Sequence, residues 1–186
     1  MVRLVVLASG TGSTLQAILE APGLGGLVAA AGTDVPGCAA LQRADAAGLP
    51  TFAVPLNDYA DRDVWNERLA KSIAEYAPDL LVLAGFMRLL GPAVLDRFRV
   101  VNTHPALLPA FPGAHAVRDA LAAGATSTGA TVHWVDEGID TGAIIAQATV
   151  RVEPGDDEDS LRARIQAAEQ PLYVSTLRHL CREMAR

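Results

Sequence analysis

The sequence predicts an α/β protein built on a doubly wound, mostly parallel open sheet, and three observations carry that prediction. Two runs, VRLVVLA at Val2–Ala8 and DLLVLAG at Asp79–Gly85, are rich in Leu and Val with almost no polar alternation, as expected of strands covered on both faces. Strand-like and helix-like segments alternate along the chain with short links, the pattern of a doubly wound sheet. Hydrophobic residues make up 51% of the 186 and charged residues 19%, below the average charged share of about 25%. This excludes a disordered chain and suits one core that buries roughly 70% of the unfolded surface.

The first strand, Val2–Ala8, leads through the turn Ser9-Gly10-Thr11-Gly12 into a helix from about Ser13 to Glu20. Leu27–Gly32 reads as a second strand, Cys38–Ala47 as an Ala-rich helix closed by Gly48, and Thr51–Pro55 as a third strand. Asp61–Tyr76 places Val64, Trp65, Leu69 and Ile73 at helical spacing, with Asp61 as its cap. Pro78 resets the chain before the strand Asp79–Gly85; a short helix at Pro92–Arg97 and a strand at Arg99–Thr103 follow. Ala114–Ala123 is expected to be helical. Thr128–Val135 reads as a strand with one side partly open, and Ala143–Val152 as another. Asp157 to about Met184 reads as a long amphipathic helix with an interruption at Pro171.

We expect a single domain over residues 1–186, with a phosphate-binding half at about 1–100 and a catalytic half at about 77–186. No repeat or dividing linker is visible. Fifteen basic and 21 acidic side chains give a net charge of −6, which lacks the diffuse basic face of a nucleic-acid binder. No apolar run approaches the ~20 residues of a spanning helix, and Arg3 with the early polar loop argues against a signal peptide. The expected setting is cytoplasmic, with small-molecule partners, neither nucleic acid nor membrane, and a monomer or homodimer. Cys38 and Cys181 read as small hydrophobes in a reducing compartment.

Ligands of open α/β sheets collect at the carboxyl ends of the strands, which directs attention to the loops after Ala8, Gly85, Thr103 and Val135. In the first, Gly10-Thr11-Gly12-Ser13-Thr14 joins a buried strand to a helix. Glycines admit close backbone approach, and helix-start amides suit a phosphate. Asp34 lies near where a dinucleotide fold places its ribose-binding acid. The G-x-G-x-x-G fingerprint nevertheless fails at Leu15, and G-x-G alone is weak; a tight turn is the plain alternative.

In Val100-Val101-Asn102-Thr103-His104-Pro105, residues two apart on an extended backbone project to one side. Pro105 keeps His104 extended. Asn102 and His104 should therefore point together beyond the sheet, an amide donor beside an imidazole, suited to stabilising an oxyanion and moving a proton. The loop Asp136-Glu137-Gly138-Ile139-Asp140-Thr141-Gly142 supplies carboxylates, and a carboxylate near an imidazole favours the charged ring and fixes its orientation. His115, His133 and His179 read as ordinary. The histidines and cysteines show no zinc spacing, and no metal is expected.

At these residues the sequence resembles the formyltransferase family that uses 10-formyltetrahydrofolate. The likeness runs through LASGTGSTLQAIL (Leu7–Leu19), APDLLVLAGFMRLL (Ala77–Leu90), VNTHPALLPAFPGAHAVRDAL (Val101–Leu121) and GATVHWVDEGIDTGAII (Gly129–Ile145). It implies a Rossmann-like fold and formyl transfer from 10-formyltetrahydrofolate, as co-substrate, to an amine. The likeness is greatest to the purine-synthesis branch, whose acceptor is glycinamide ribonucleotide. It further implies Asn102, His104 and Asp140 as the catalytic set and Gly12, Ser13 and Thr14 on the ribonucleotide phosphate, with Gln166 and Glu169, in the final helix, on the same substrate. The folate would meet Arg62, Met87, Arg88, Leu89, Leu90, Asn102 and the loop Asp136, Glu137, Gly138, Ile139, Asp140.

Two positions depart from the family pattern: Thr14 stands where Asn is common, and Ala110 where a basic residue often follows L-L-P. Neither the RNA-contacting domain of the transfer-RNA branch nor the regulatory domain of formyltetrahydrofolate hydrolase is expected within these 186 residues. The hydrolase chemistry and a sugar-amine acceptor remain alternatives, as does, from another class, a nicotinamide-dependent oxidoreductase.

Overall fold

The computed structural model describes residues 1–186. Seven strands form one sheet: β1 (Leu4–Leu7), β2 (Val28–Thr33), β3 (Thr51–Ala53), β4 (Leu80–Leu83), β5 (Val100–His104), β6 (Ser127–Trp134) and β7 (Ile144–Arg151). Their order is β3-β2-β1-β4-β5-β6-β7. Pairings among β1 to β5 are parallel and β6 pairs β7 antiparallel, so the expected doubly wound, mostly parallel sheet is observed. The helices are α1 (Ser13–Glu20), α2 (Ala39–Ala46), α3 (Arg62–Ala74), α4 (Pro92–Leu95), α5 (Ala116–Ala122) and α6 (Glu158–Met184). The backbone groups into two compact units, one of residues 1–101 and 178–186, the other of residues 102–177.

In the first unit, every residue of β1 and β4 is buried, which is why both read as uninterrupted apolar runs. Asp61 caps α3 as expected, its Oδ1 accepting from the Val64 N–H at 2.9 Å. The buried face of α3 differs from expectation: Trp65, Leu69 and Ile73 are fully buried, whereas Val64 is exposed. Asn66 turns inward instead, donating to the Arg62 carbonyl and accepting from the Gly91 N–H at 2.7 Å. Trp65 stacks on Phe86 and donates to the Val54 carbonyl at 2.8 Å. Gly32 makes room for a neighbour, since a Cβ there would stand 2.3 Å from the Phe52 ring.

In the second unit, Val117, Ala130, Val150, Leu161 and Ile165 form a core. β6 is buried at six consecutive positions, so the partly open side expected for it is not found; its small and hydroxyl-bearing residues are packed inside. The start of α6 carries reciprocal bonds, Asp157 Oδ1 accepting from Ser160 N–H and Ser160 Oγ from Asp157 N–H, the capping-box geometry. Asp156 receives the Arg164 guanidinium at 2.5 and 2.9 Å, which holds its carboxyl well below the usual range. Pro171 does not interrupt α6, which runs unbroken to Met184; the ring lies on an exposed position, where water can serve the carbonyl it leaves without a donor. Both cysteines are free, and burial pushes the Cys181 thiol up.

Candidate active site

The first loop is built by α2 as much as by its own glycines. The Ala40 N–H donates to the Gly10 carbonyl at 3.0 Å and Arg43 Nε to the Thr11 carbonyl at 2.8 Å. Gly12 has φ 73°, a region that disfavours side chains, and a Cβ there would stand 2.5 Å from Ala40 Cα. It occupies the N-cap of α1 with no side chain to cap the first turn. Gly12, Ser13 and Thr14 thus lie at a helix start whose dipole favours an anion.

The loop after β4 is held at successive residues of the first unit. The Ser9 N–H donates to the Gly85 carbonyl at 3.1 Å. Ser9 Oγ accepts from the Met87 N–H at 3.0 Å. Arg88 Nε donates to Asp34 at 2.6 Å and Arg62 Nη2 to the Leu89 carbonyl at 2.6 Å. On this fixed backbone the Met87 and Leu89 side chains are 73% and 53% exposed. Leu90 points into the core, leaving only its backbone for any ligand. Exposed apolar groups on an immobilised segment suit a flat, partly apolar ligand.

In the second unit, β5 delivers Asn102 and buried His104. The His104 ring is held from two directions, with Nδ1 3.3 Å from Asp140 Oδ2 and Nε2 2.8 Å from the Phe111 carbonyl oxygen. Both oxygens can only accept, so the doubly protonated ring satisfies both contacts. Asp140 reaches His104 from a left-handed backbone, φ 55°, which Asp tolerates better than most residues. Its Oδ2 also accepts from the Gly113 N–H at 2.8 Å. Phe111 itself has φ 53°; a bulky residue in that region is strained, and such strain clusters at functional sites.

Sequence reasoning missed His133. Its Nδ1 donates to the Trp134 carbonyl at 2.9 Å, and its Nε2 lies 3.5 Å from Asn102 Nδ2 and 3.6 Å from Asp140 Oδ1. One ring nitrogen cannot accept from Asn102 and donate to Asp140 at once, so with Nδ1 given to Trp134 the Nε2 pairs with the Asn102 amide and only packs beside Asp140. Its place on β6, two residues after a Thr in a buried strand, could have drawn attention to it. Thr131 was missed as well: its hydroxyl donates to the Ala106 carbonyl and accepts from the Leu108 N–H and Gln147 Nε2. A saturated buried hydroxyl thus fixes the Pro-rich turn after β5.

Of the remaining loop residues, Asp136 organises its own turn, accepting from the Gly138 N–H and Thr141 Oγ1; Glu137, Gly138 and Ile139 are exposed. Gln166 and Glu169 lie on α6. Burial pushes the Glu169 carboxyl up, with Thr103 beside it working the other way. No group of three or more His, Cys, Asp or Glu is arranged to hold a metal ion, and no helix is long and apolar enough to cross a membrane.

A family model described as formyl transferase matches residues 2–177. The chain is 52% identical over 179 residues to the phosphoribosylglycinamide formyltransferase of Mycobacterium tuberculosis, covering 94% of this chain and 83% of the relative. Over 176 residues it is 41% identical to the Escherichia coli enzyme of the same name, covering 92% and 83%. Its structure matches the crystal structure of glycinamide ribonucleotide transformylase 1 from Symbiobacterium toebii with a TM-score of 0.92 at 42% identity, covering 96% of this chain and 86% of that one. The chain belongs to the formyl transferase family.

Proposed function

We propose that residues 1–186 act as one formyltransferase domain that transfers a formyl group from 10-formyltetrahydrofolate to the amine of glycinamide ribonucleotide, a step of purine biosynthesis. The observation that carries the assignment of roles is the approach of Asp140 Oδ2 to within 3.3 Å of His104 Nδ1, on the strand that also carries Asn102.

The folate supplies a carbonyl carbon that the acceptor amine attacks, placing negative charge on the formyl oxygen. His104 and the Asn102 amide donate hydrogen bonds to that oxygen, the kind of preorganised stabilisation that lowers acyl-transfer barriers most. Asp140 orients the His104 ring and balances its positive charge. Loss of a proton by the attacking amine and gain of one by the departing folate nitrogen complete the exchange, with His104 placed to move a proton.

Gly12, Ser13 and Thr14 receive the phosphate, and Thr14 supplies a hydroxyl where the family commonly has an amide. Gln166 and Glu169 contact the ribonucleotide. The folate is taken by Arg62, by Met87, Arg88, Leu89 and the backbone of Leu90, by Asn102, and by the loop Asp136, Glu137, Gly138, Ile139 and Asp140. The exposed Met87, Leu89 and Ile139 side chains support that reading. A cytoplasmic setting, action as a monomer or homodimer, and small molecules as the only substrates belong to the same proposal.

The test mixes the purified chain with 10-formyltetrahydrofolate and glycinamide ribonucleotide and follows tetrahydrofolate and formylated product. Release that requires the amine acceptor is expected. Equal release without acceptor makes the chain a hydrolase, and transfer to a sugar amine in preference to the ribonucleotide replaces the acceptor.

A further inference from the structure

Asp34 is a buried carboxylate for which formyl transfer has no task. Its position after β2 suggested a ribose-binding acid, yet both its oxygens are engaged within the protein. Oδ1 accepts the Ser9 hydroxyl at 2.5 Å and Oδ2 accepts Arg88 Nε at 2.6 Å. The Asp34 side chain is 1% exposed while that of Arg88 is 41% exposed. The same Ser9 hydroxyl accepts from the Met87 N–H at 3.0 Å. An ion pair whose cation is 41% exposed adds little net stability, so fold stability alone does not account for an aspartate here. Its geometry accounts for it better. One carboxylate fixes the hydroxyl that orients the Met87 amide and also fixes the guanidinium of the next residue.

We propose that Asp34 and Ser9 are positioning residues for the folate: together they hold Met87 and Arg88 in the conformation that receives it. The inference rests on the reading that Met87–Leu90 take the folate, and it assigns neither residue a contact with the reacting atoms. Arg88, with Nε held by Asp34, is left with its Nη groups for a ligand. The remaining anchors of the segment, Arg62 on the Leu89 carbonyl and Asn66 on the Gly91 N–H, do not depend on Asp34. Removing the Ser9–Asp34 pair should therefore loosen Met87 and Arg88 selectively.

The experiment compares the full chain with Ser9→Ala, Asp34→Asn and Ser9→Thr, measuring kcat, both KM values and the Kd of a non-reacting folate analogue. Ser9→Ala and Asp34→Asn are each expected to raise the folate KM and the analogue Kd about 5- to 10-fold, the scale of one lost charge-assisted hydrogen bond. The KM for glycinamide ribonucleotide and kcat at saturating folate should move less than about twofold on the same scale. Ser9→Thr, which keeps a hydroxyl, should recover most of the affinity. Asp34→Asn preserves shape and an acceptor for Ser9, and decides the matter alone if Ser9→Ala does not fold. Undiminished analogue affinity in folded variants overturns the inference, as does a parallel loss in all kinetic constants with a lowered melting temperature. A wild-type chain that binds no folate analogue overturns the functional reading and this inference together; wild-type binding with unaffected variants overturns this inference alone.

Discussion

The Phe111 carbonyl oxygen accepts the Nε2–H of His104 at 2.8 Å, so the proton proposed for the formyl oxygen is already held by a backbone acceptor. That acceptor comes from a residue with φ 53°. A substrate oxygen therefore competes with a strained carbonyl rather than with bulk water, and the ring is kept in one orientation until it does.

Replacing His104 by Ala should leave a folded chain and lower kcat by about 10²–10⁴-fold, the usual worth of a positioned proton-transfer group. Circular dichroism checks folding and product formation checks rate; near-normal turnover would end the assignment of His104.

Asp140→Ala and Asp140→Asn should match in rate and differ in stability. Both lose the carboxylate beside His104 and should fall by a similar factor in kcat. Ala also occupies φ 55° without the local polar side chain that eases that conformation, so it should be less stable than the Asn variant by about 1 kcal/mol and melt at a lower temperature. Thermal unfolding of both variants measures the difference.

His133→Phe tests whether the ring that accepts from the Asn102 amide matters for the reaction. Loss of that acceptor lets the Asn102 amide rotate, and misplacement on that scale should reduce kcat by about 10- to 10²-fold. The KM for the ribonucleotide should barely change. Steady-state kinetics against each substrate distinguishes this from a general loss of fold.

Gly12→Ala forces a Cβ to within 2.5 Å of Ala40 Cα at a residue with φ 73°. The first loop must shift, and we expect the ribonucleotide KM to rise at least about tenfold, with destabilisation on the order of 1–3 kcal/mol. The folate KM should change less. Substrate titrations and a melt report the two effects separately.

Burial raises the Glu169 carboxyl above its ordinary value of 4.5. A raised folded-state value means that its contribution to stability is complete below the unfolded value and is lost as pH climbs through the folded one. Glu169→Gln should therefore melt at a higher temperature than the parent at neutral pH, with the gap closing as pH falls below 4.5. A gap that widens toward acid would contradict the sign.

Local sequence was enough for what neighbours along the chain decide. The bounds of α1, the Asp61 cap of α3, the buried runs of β1 and β4 and the extended Asn102–His104 pair follow from capping chemistry, period and the proline at 105. The tertiary structure alone decided which side of α3 faces inward, because Asn66 found partners in Arg62 and Gly91 that make burying an amide tolerable. It likewise left β6 without an open side and let α6 continue past Pro171 on an exposed position. The recruitment of His133, the left-handed turn that aims Asp140 and the engagement of Asp34 by Ser9 and Arg88 depend on residues far apart in sequence. Periodicity and propensity carry only near-neighbour information, whereas convergence of distant polar groups is set by packing, and no local pattern encodes it.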